Sequence, residues 1–278
     1  MSLRKTHALL ALGIAPLIAC GGGGSSDTTP PPTTAPAAAA TSTGTASIAG
    51  KVSYSGEPAE TSLIKMSADP RCHELHPDGL ERSAFIVSED GGVADVVVYV
   101  KGVSGSYPAP AEASLLDQDG CNYSPHSVAL MTGQQFTIRN SDATLHNIHP
   151  RPKKNAEFNV GQPRQGMETT KTFTDPELLI PVGCDVHPWM RAYVSVFDHP
   201  FFAVTGADGS FEIKGLAAGE YAVEAIHPTL ETVSGTITVE DGGAATLNLA
   251  YGASAETPAG EAAEEPAEEA DDDAASEG

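Results

Sequence analysis

Between residues 46 and 252 the apolar positions fall in short runs, most alternating with polar ones, and none keeps a helical period over several turns. The runs "ASIAGKVSYSG", "VADVVVYVKG", "SVALMTGQQFTIRNSD", "KTFTDPELLIPVGC", "RAYVSVFD", "FFAVTGADGSFEIKGL", "GEYAVEAIH" and "VSGTITVED" are rich in Val, Ile, Thr, Tyr and Phe. Gly, Pro, Asp and Asn separate them. Because successive side chains on a strand point to opposite faces, such runs predict half-buried strands. The fold class expected is all-β, one large sandwich or two in tandem. In "AVTGADGSFEIKGLAAGEYAVEAIHP", Asp208 and Gly209 predict a hairpin turn leading into alternating Phe211 and Ile213, then a second glycine-containing turn.

Both ends leave this pattern. Arg4 and Lys5 precede the apolar run "ALLALGIAPLIA", which is too short to span a bilayer and closes on "LIAC". Residues 1–19 therefore read as an export signal. Its end resembles bacterial lipoprotein signals, which implies that Cys20 carries lipid and anchors the chain to a membrane of the cell envelope. Residues 20–45, rich in Gly, Pro, Thr and Ala, read as a disordered tether, since they cannot bury enough apolar area to offset chain entropy. Residues 253–278 hold ten acidic side chains and no basic one, and read as a disordered tail.

Charge narrows the function classes. The formal net charge is −22, and without the two basic residues of the leader and the ten acids of the tail it is still −14. Nucleic acid, which requires basic phosphate contacts, is excluded as a partner. A cationic protein partner or simple solubility fits. No G-x-S-x-G, phosphate-binding loop or H-E-x-x-H is present, so hydrolysis has no support and an enzyme is not expected.

The chemistry concentrates in "GCDVHPWMRAYVSVFDHP", where Cys184, His187 and Met190 follow one another at intervals of three. A thiolate with two imidazoles and a weak thioether is a donor set that selects copper for electron transfer. Upstream, "GQQFTIRNSDATLHNIHP" runs from a strand into a turn and offers His146 as the second imidazole, with His149 read as structural. Zinc competes for Cys and His, but the methionine favours a softer ion.

Together, "TIRNSDATLHNIH" and "CDVHPWMRAYVSV" resemble the cupredoxins, the blue copper proteins, most closely those of amicyanin and plastocyanin type. The resemblance implies a Greek-key sandwich over residues 46–199, with an insertion, and one type 1 copper ion held by His146, Cys184, His187 and Met190. It makes Asn147 the residue that fixes the ligand loop, and Pro188 and Trp189 the residues that stiffen and cover it. His187 is then expected to present its ring edge at an apolar surface where electrons pass. Glu168, after Met167, is an alternative axial ligand, as in the red copper variant of the family, which would leave an open position for a small molecule. Residues 200–252 resemble the carboxypeptidase-regulatory-like, prealbumin-type sandwich, expected to follow as a small domain.

Cys72 and Cys121 remain. In an oxidising compartment a disulfide is the default. A second soft-metal site with His76 and His126, or free thiols, are the alternatives. The function expected is a membrane-tethered one-electron carrier outside the cytoplasm, with a cytochrome or a dehydrogenase as redox partner. Two alternatives stand beside it: a copper-capture or copper-delivery lipoprotein, and a cell-surface module binding glycan or protein around a structural metal.

Overall fold

The computed structural model describes residues 44–57 and 59–252. The export signal, Cys20, nearly all of the tether and the acidic tail lie outside the described residues. Strand dominates, with a single helix of six residues among those described. No described helix is long and apolar enough to cross a membrane.

Four larger sheets form two sandwiches. In the first sandwich, one sheet runs β15 (Ser210–Leu216), β1 (Ala46–Tyr54), β18 (Ala244–Thr246), with β19 (Leu249–Tyr251) also beside β1. The facing sheet runs β14 (Phe202–Val204), β4 (Val97–Val100), β16 (Gly219–His227), β17 (Leu230–Val239). Ile48, Val52, Val98, Val100, Phe211, Ile213 and Val223 are buried in one core cluster. Each such side chain contributes roughly 1.5–3 kcal/mol by leaving water.

The second sandwich holds the predicted site. One sheet runs β10 (Val160–Gln162), β9 (His146–Pro150), β12 (Glu177–Gly183), β13 (Arg191–Phe197), β7 (Ser127–Met131). The other runs β11 (Met167–Lys171), β8 (Phe136–Asn140), β5 (Ser114–Asp119), β6 (Asn122–Ser124). Leu116, Leu130, Phe136, Ile138, Ile148, Val194 and Val196 fill its core. Val97, Ile226 and Phe197 pack together where the two sandwiches meet.

The division expected at residue 199 is not where the sheets divide. β1 and β4, assigned from the sequence to the copper-type domain, pair instead with β15, β18, β19, β14 and β16. The first sandwich thus draws strands from both sides of the second. The turn at Asp208 and Gly209 also differs from expectation, because it joins β14 in one sheet to β15 in the other rather than closing a paired hairpin. Gly209 sits at φ +80°, and a Cβ placed there would lie 2.4 Å from the Val52 carbonyl oxygen, so no side chain fits.

Between β1 and β4 runs a ribbon, β2 (Thr61–Ile64) paired with β3 (Leu80–Ser83), with helix α1 (Pro70–Leu75) between its strands. Asp69 caps α1, its Oδ1 accepting from the N–H groups of Arg71 at 2.8 Å and Cys72 at 3.0 Å, and Pro70 occupies the first turn. Cys72 of α1 is joined to Cys121 by a disulfide, which closes a segment 49 residues apart in sequence.

Candidate metal centre

β9 pairs antiparallel with β12, Gly183 opposite His149, which sets the start of β9 beside the loop that follows Gly183. That loop, between β12 and β13, carries Cys184, His187 and Met190. Tyr123 pins the junction, its hydroxyl donating to the carbonyls of Asn147 at 2.6 Å and Gly183 at 3.0 Å.

Three of the four expected ligands come together. His146, Cys184 and His187 are buried, with ligand atoms all within 4.8 Å of one another. The two imidazoles face each other through Nδ1 at 2.9 Å, and Cys184 Sγ lies 3.9 Å from His187 Nδ1. Met190 is fully buried in the same loop, its N–H donating to the His187 carbonyl at 2.9 Å. Burial pushes the Cys184 thiol up, but hydrogen bonds from His146, His187 and the backbone N–H of Asn147 outweigh it and bring it down to about 6. At neutral pH the sulfur is a thiolate, the form that binds metals.

Asn147 ties the loop to β9. Its Oδ1 accepts from Asp185 N–H at 2.6 Å, and its own N–H donates to Cys184 Sγ at 3.5 Å. Trp189 lies tilted beside the His187 ring, centroids 5.0 Å apart, and donates through Nε1 to the Cys121 carbonyl at 3.1 Å. Arg82 of β3 donates through Nη1 to the Trp189 carbonyl.

The far nitrogens of both rings meet carboxylates. His146 Nε2 lies 2.8 Å from Asp142 Oδ2, and His187 Nε2 lies 3.2 Å from Asp69 Oδ2. Asp142 is in turn held by the N–H groups of Gly120 at 2.9 Å and Cys121 at 2.7 Å. Burial works to raise both acids, yet these N–H and imidazole contacts hold each below the ordinary carboxylate range. Burial likewise opposes charge on His146, and Asp142 overrides it, raising that imidazole to about 8. A carboxylate on Nε2 fixes the tautomer and turns Nδ1 inward. Asp69 and Asp142 went unnoticed in the sequence. The signals were a helix-capping "DP" three residues before Cys72 and an acid four residues before His146.

Several expectations need correction. His187 presents no exposed edge: it is 2% exposed, because α1 and the disulfide cover it, with Cys72 Sγ 3.8 Å from Nε2. Glu168 is not brought to the cluster, since its half-exposed carboxylate accepts from Arg139 Nε at 2.8 Å on the outer face of β11. The Cys72, His76, Cys121, His126 grouping is not a site either, because both sulfurs are in the disulfide and His76 Nε2 bonds the Gly120 carbonyl at 2.8 Å. His149 lies between Asp185 at 2.9 Å and Glu157 at 2.7 Å, away from the cluster.

No protein-family model matches the sequence, and no curated protein does. Among solved structures, the chain is similar to a purple cupredoxin from Nitrosopumilus maritimus at 21% identity, covering 30% of this chain and 99% of that one, with a TM-score of 0.27. An amicyanin variant in its Cu(I) form matches at 24% identity over 36% of this chain and 98% of that one, with a TM-score of 0.28. A copper-containing nitrite reductase from Thermus scotoductus SA-01 matches at 19% identity over 34% of this chain and 24% of that one, with a TM-score of 0.27.

Proposed function

We propose that the chain binds one copper ion through His146, Cys184 and His187, with Met190 as the axial donor, and carries single electrons outside the cytoplasm. The observation that carries this reading is the pair of buried Nδ1 atoms 2.9 Å apart beside the Cys184 sulfur. The donor set fits the ion: a thiolate favours Cu(I) and imidazoles suit Cu(II). Copper held there would supply one-electron exchange between those two states. The chain's own part is to keep the donors fixed. Asp69 and Asp142 orient the imidazoles, Asn147 and Tyr123 fasten the loop to β9, and the surrounding side chains exclude water. Lipid anchoring at Cys20 and a cytochrome or dehydrogenase as partner complete the reading.

The test is to load the purified chain with copper and record absorption and paramagnetic resonance. An intense thiolate-to-copper band with small copper hyperfine splitting is expected, lost in Cys184→Ser. A colourless Cu(II) form, or a band that survives Cys184→Ser, would overturn the assignment.

The covering of His187 supports a second reading, copper capture or delivery, because a redox partner cannot reach that ring directly. A carrier keeps its copper after reduction in the presence of a mild chelator. Rapid loss under those conditions would favour handling.

A further inference from the structure

A cleft of about 450 Å³ opens between the ribbon, the start of β13 and the turn joining β16 to β17. That size suits a small organic molecule. One wall is basic, formed by Arg82 and Arg191. Arg82 is fixed, donating through Nη2 to Asn122 Oδ1 at 2.9 Å and through Nη1 to the Trp189 carbonyl. Neither arginine has an ion pair among the described residues, and the Arg191 guanidinium has no hydrogen-bond partner there. Such a pair of cations is unusual in a chain of net charge −22.

Nearby acids do not neutralise them. Asp95 accepts from the Ser127 N–H and faces His126, and Glu81 is exposed on the lip. Burial holds the imidazoles of His126 and His227 below their ordinary values, the latter at about 4, so the cleft's positive charge belongs to the arginines. The cleft is also lined by apolar side chains, Phe85 and Ile86 among them. Phe85 is held by the Tyr54 ring at 4.7 Å and edge-on by His227 at 6.3 Å, and Ile86 beside it is 57% exposed.

We infer that this cleft binds an aromatic carboxylate, its anionic group between Arg82 and Arg191 and its ring against Phe85 and Ile86. A guanidinium matches a carboxylate in two parallel hydrogen bonds, and the apolar lining rewards a flat organic body over an inorganic anion. Arg82 also links the cleft to the candidate metal loop, because the carbonyl it holds belongs to Trp189, between His187 and Met190. Occupancy is therefore felt at Trp189, the chain's one tryptophan.

The experiment titrates the full chain, copper-loaded and metal-free, with benzoate, benzamide and acetate by calorimetry, following Trp189 emission in the metal-free form. One saturable benzoate site is expected, at least tenfold tighter than for either comparator, with a change in emission. Arg191→Ala should weaken it at least tenfold and Arg191→Lys less. Because that guanidinium bonds nothing in the fold, unchanged far-ultraviolet dichroism is expected for both variants. Absent saturable binding, equal affinity for benzamide, or indifference to Arg191→Ala would each overturn the inference. Binding seen only when the chain ends at Gly252 would overturn it too, making the acidic tail the occupant.

Discussion

Single side chains set the chemistry of the cluster, and the least conspicuous are two acids. Asp69 and Asp142 each spend one contact on a half-cystine N–H and one on an imidazole Nε2. Asp69→Asn preserves the helix cap, since Asn caps as well as Asp, and so isolates the contact to His187. Each Asp→Asn change is expected to weaken copper binding about 10–100-fold, measured by competition with a chelator. Unchanged affinity in both variants would show that the carboxylates are structural only. A second prediction concerns His227, whose burial lowers it to about 4 against an unfolded value near 6.5. Between those values the unfolded chain binds the proton and the folded chain does not, so stability is full above pH 6.5 and falls as pH drops toward 4. The loss is about 3 kcal/mol. Denaturant midpoints across that range should show it, and His227→Gln should flatten the dependence. Cys184, His187 and Met190 were legible in the sequence because one loop holds all three. The acids were not, because what they touch is set by tertiary contacts.

Among the elements, α1 and its ribbon change the site most. They cover the ring of His187 and bring Cys72 to Cys121. Closing a loop of this length typically contributes about 4 kcal/mol. The Cys72→Ser, Cys121→Ser double variant should lose roughly that much stability in urea, and His187 should become reactive toward an imidazole-modifying reagent. A variant that unfolds at the same midpoint, with His187 still protected, would mean that the helix holds its place without the bridge. Strand positions were legible from alternation, as Phe211 and Ile213 show, both buried on one face of β15. Their partners were not. A glycine turn between two alternating runs describes a hairpin and an arch between sheets equally well, and the turn at Gly209 is the second kind. Helix α1 escaped notice because six residues are too few to display a period.

At the scale of the whole molecule, the sandwich carrying the cluster is threaded into the other. β1 pairs with β15 from Ala46 opposite Leu216 to Lys51 opposite Ser210, a pairing no local pattern announces. A fragment of residues 46–199 keeps every strand of the second sandwich but leaves β1 and β4 without any strand they pair with, so it should still melt cooperatively while the amides of Ile48, Val52 and Val98 exchange freely. Residues 44–252 should melt in a single transition by circular dichroism. Protected amides at Ile48, Val52 and Val98 in the 46–199 fragment would contradict the pairing of β1 with β15 and of β4 with β16. After residue 20 the cysteines occur along the chain in the order 72, 121, 184. If the chain is exported from its amino end, as proposed, Cys72 and Cys121 meet an oxidant before Cys184 emerges. Oxidation in that order would make the Cys72–Cys121 bridge first and leave Cys184 reduced for the candidate cluster.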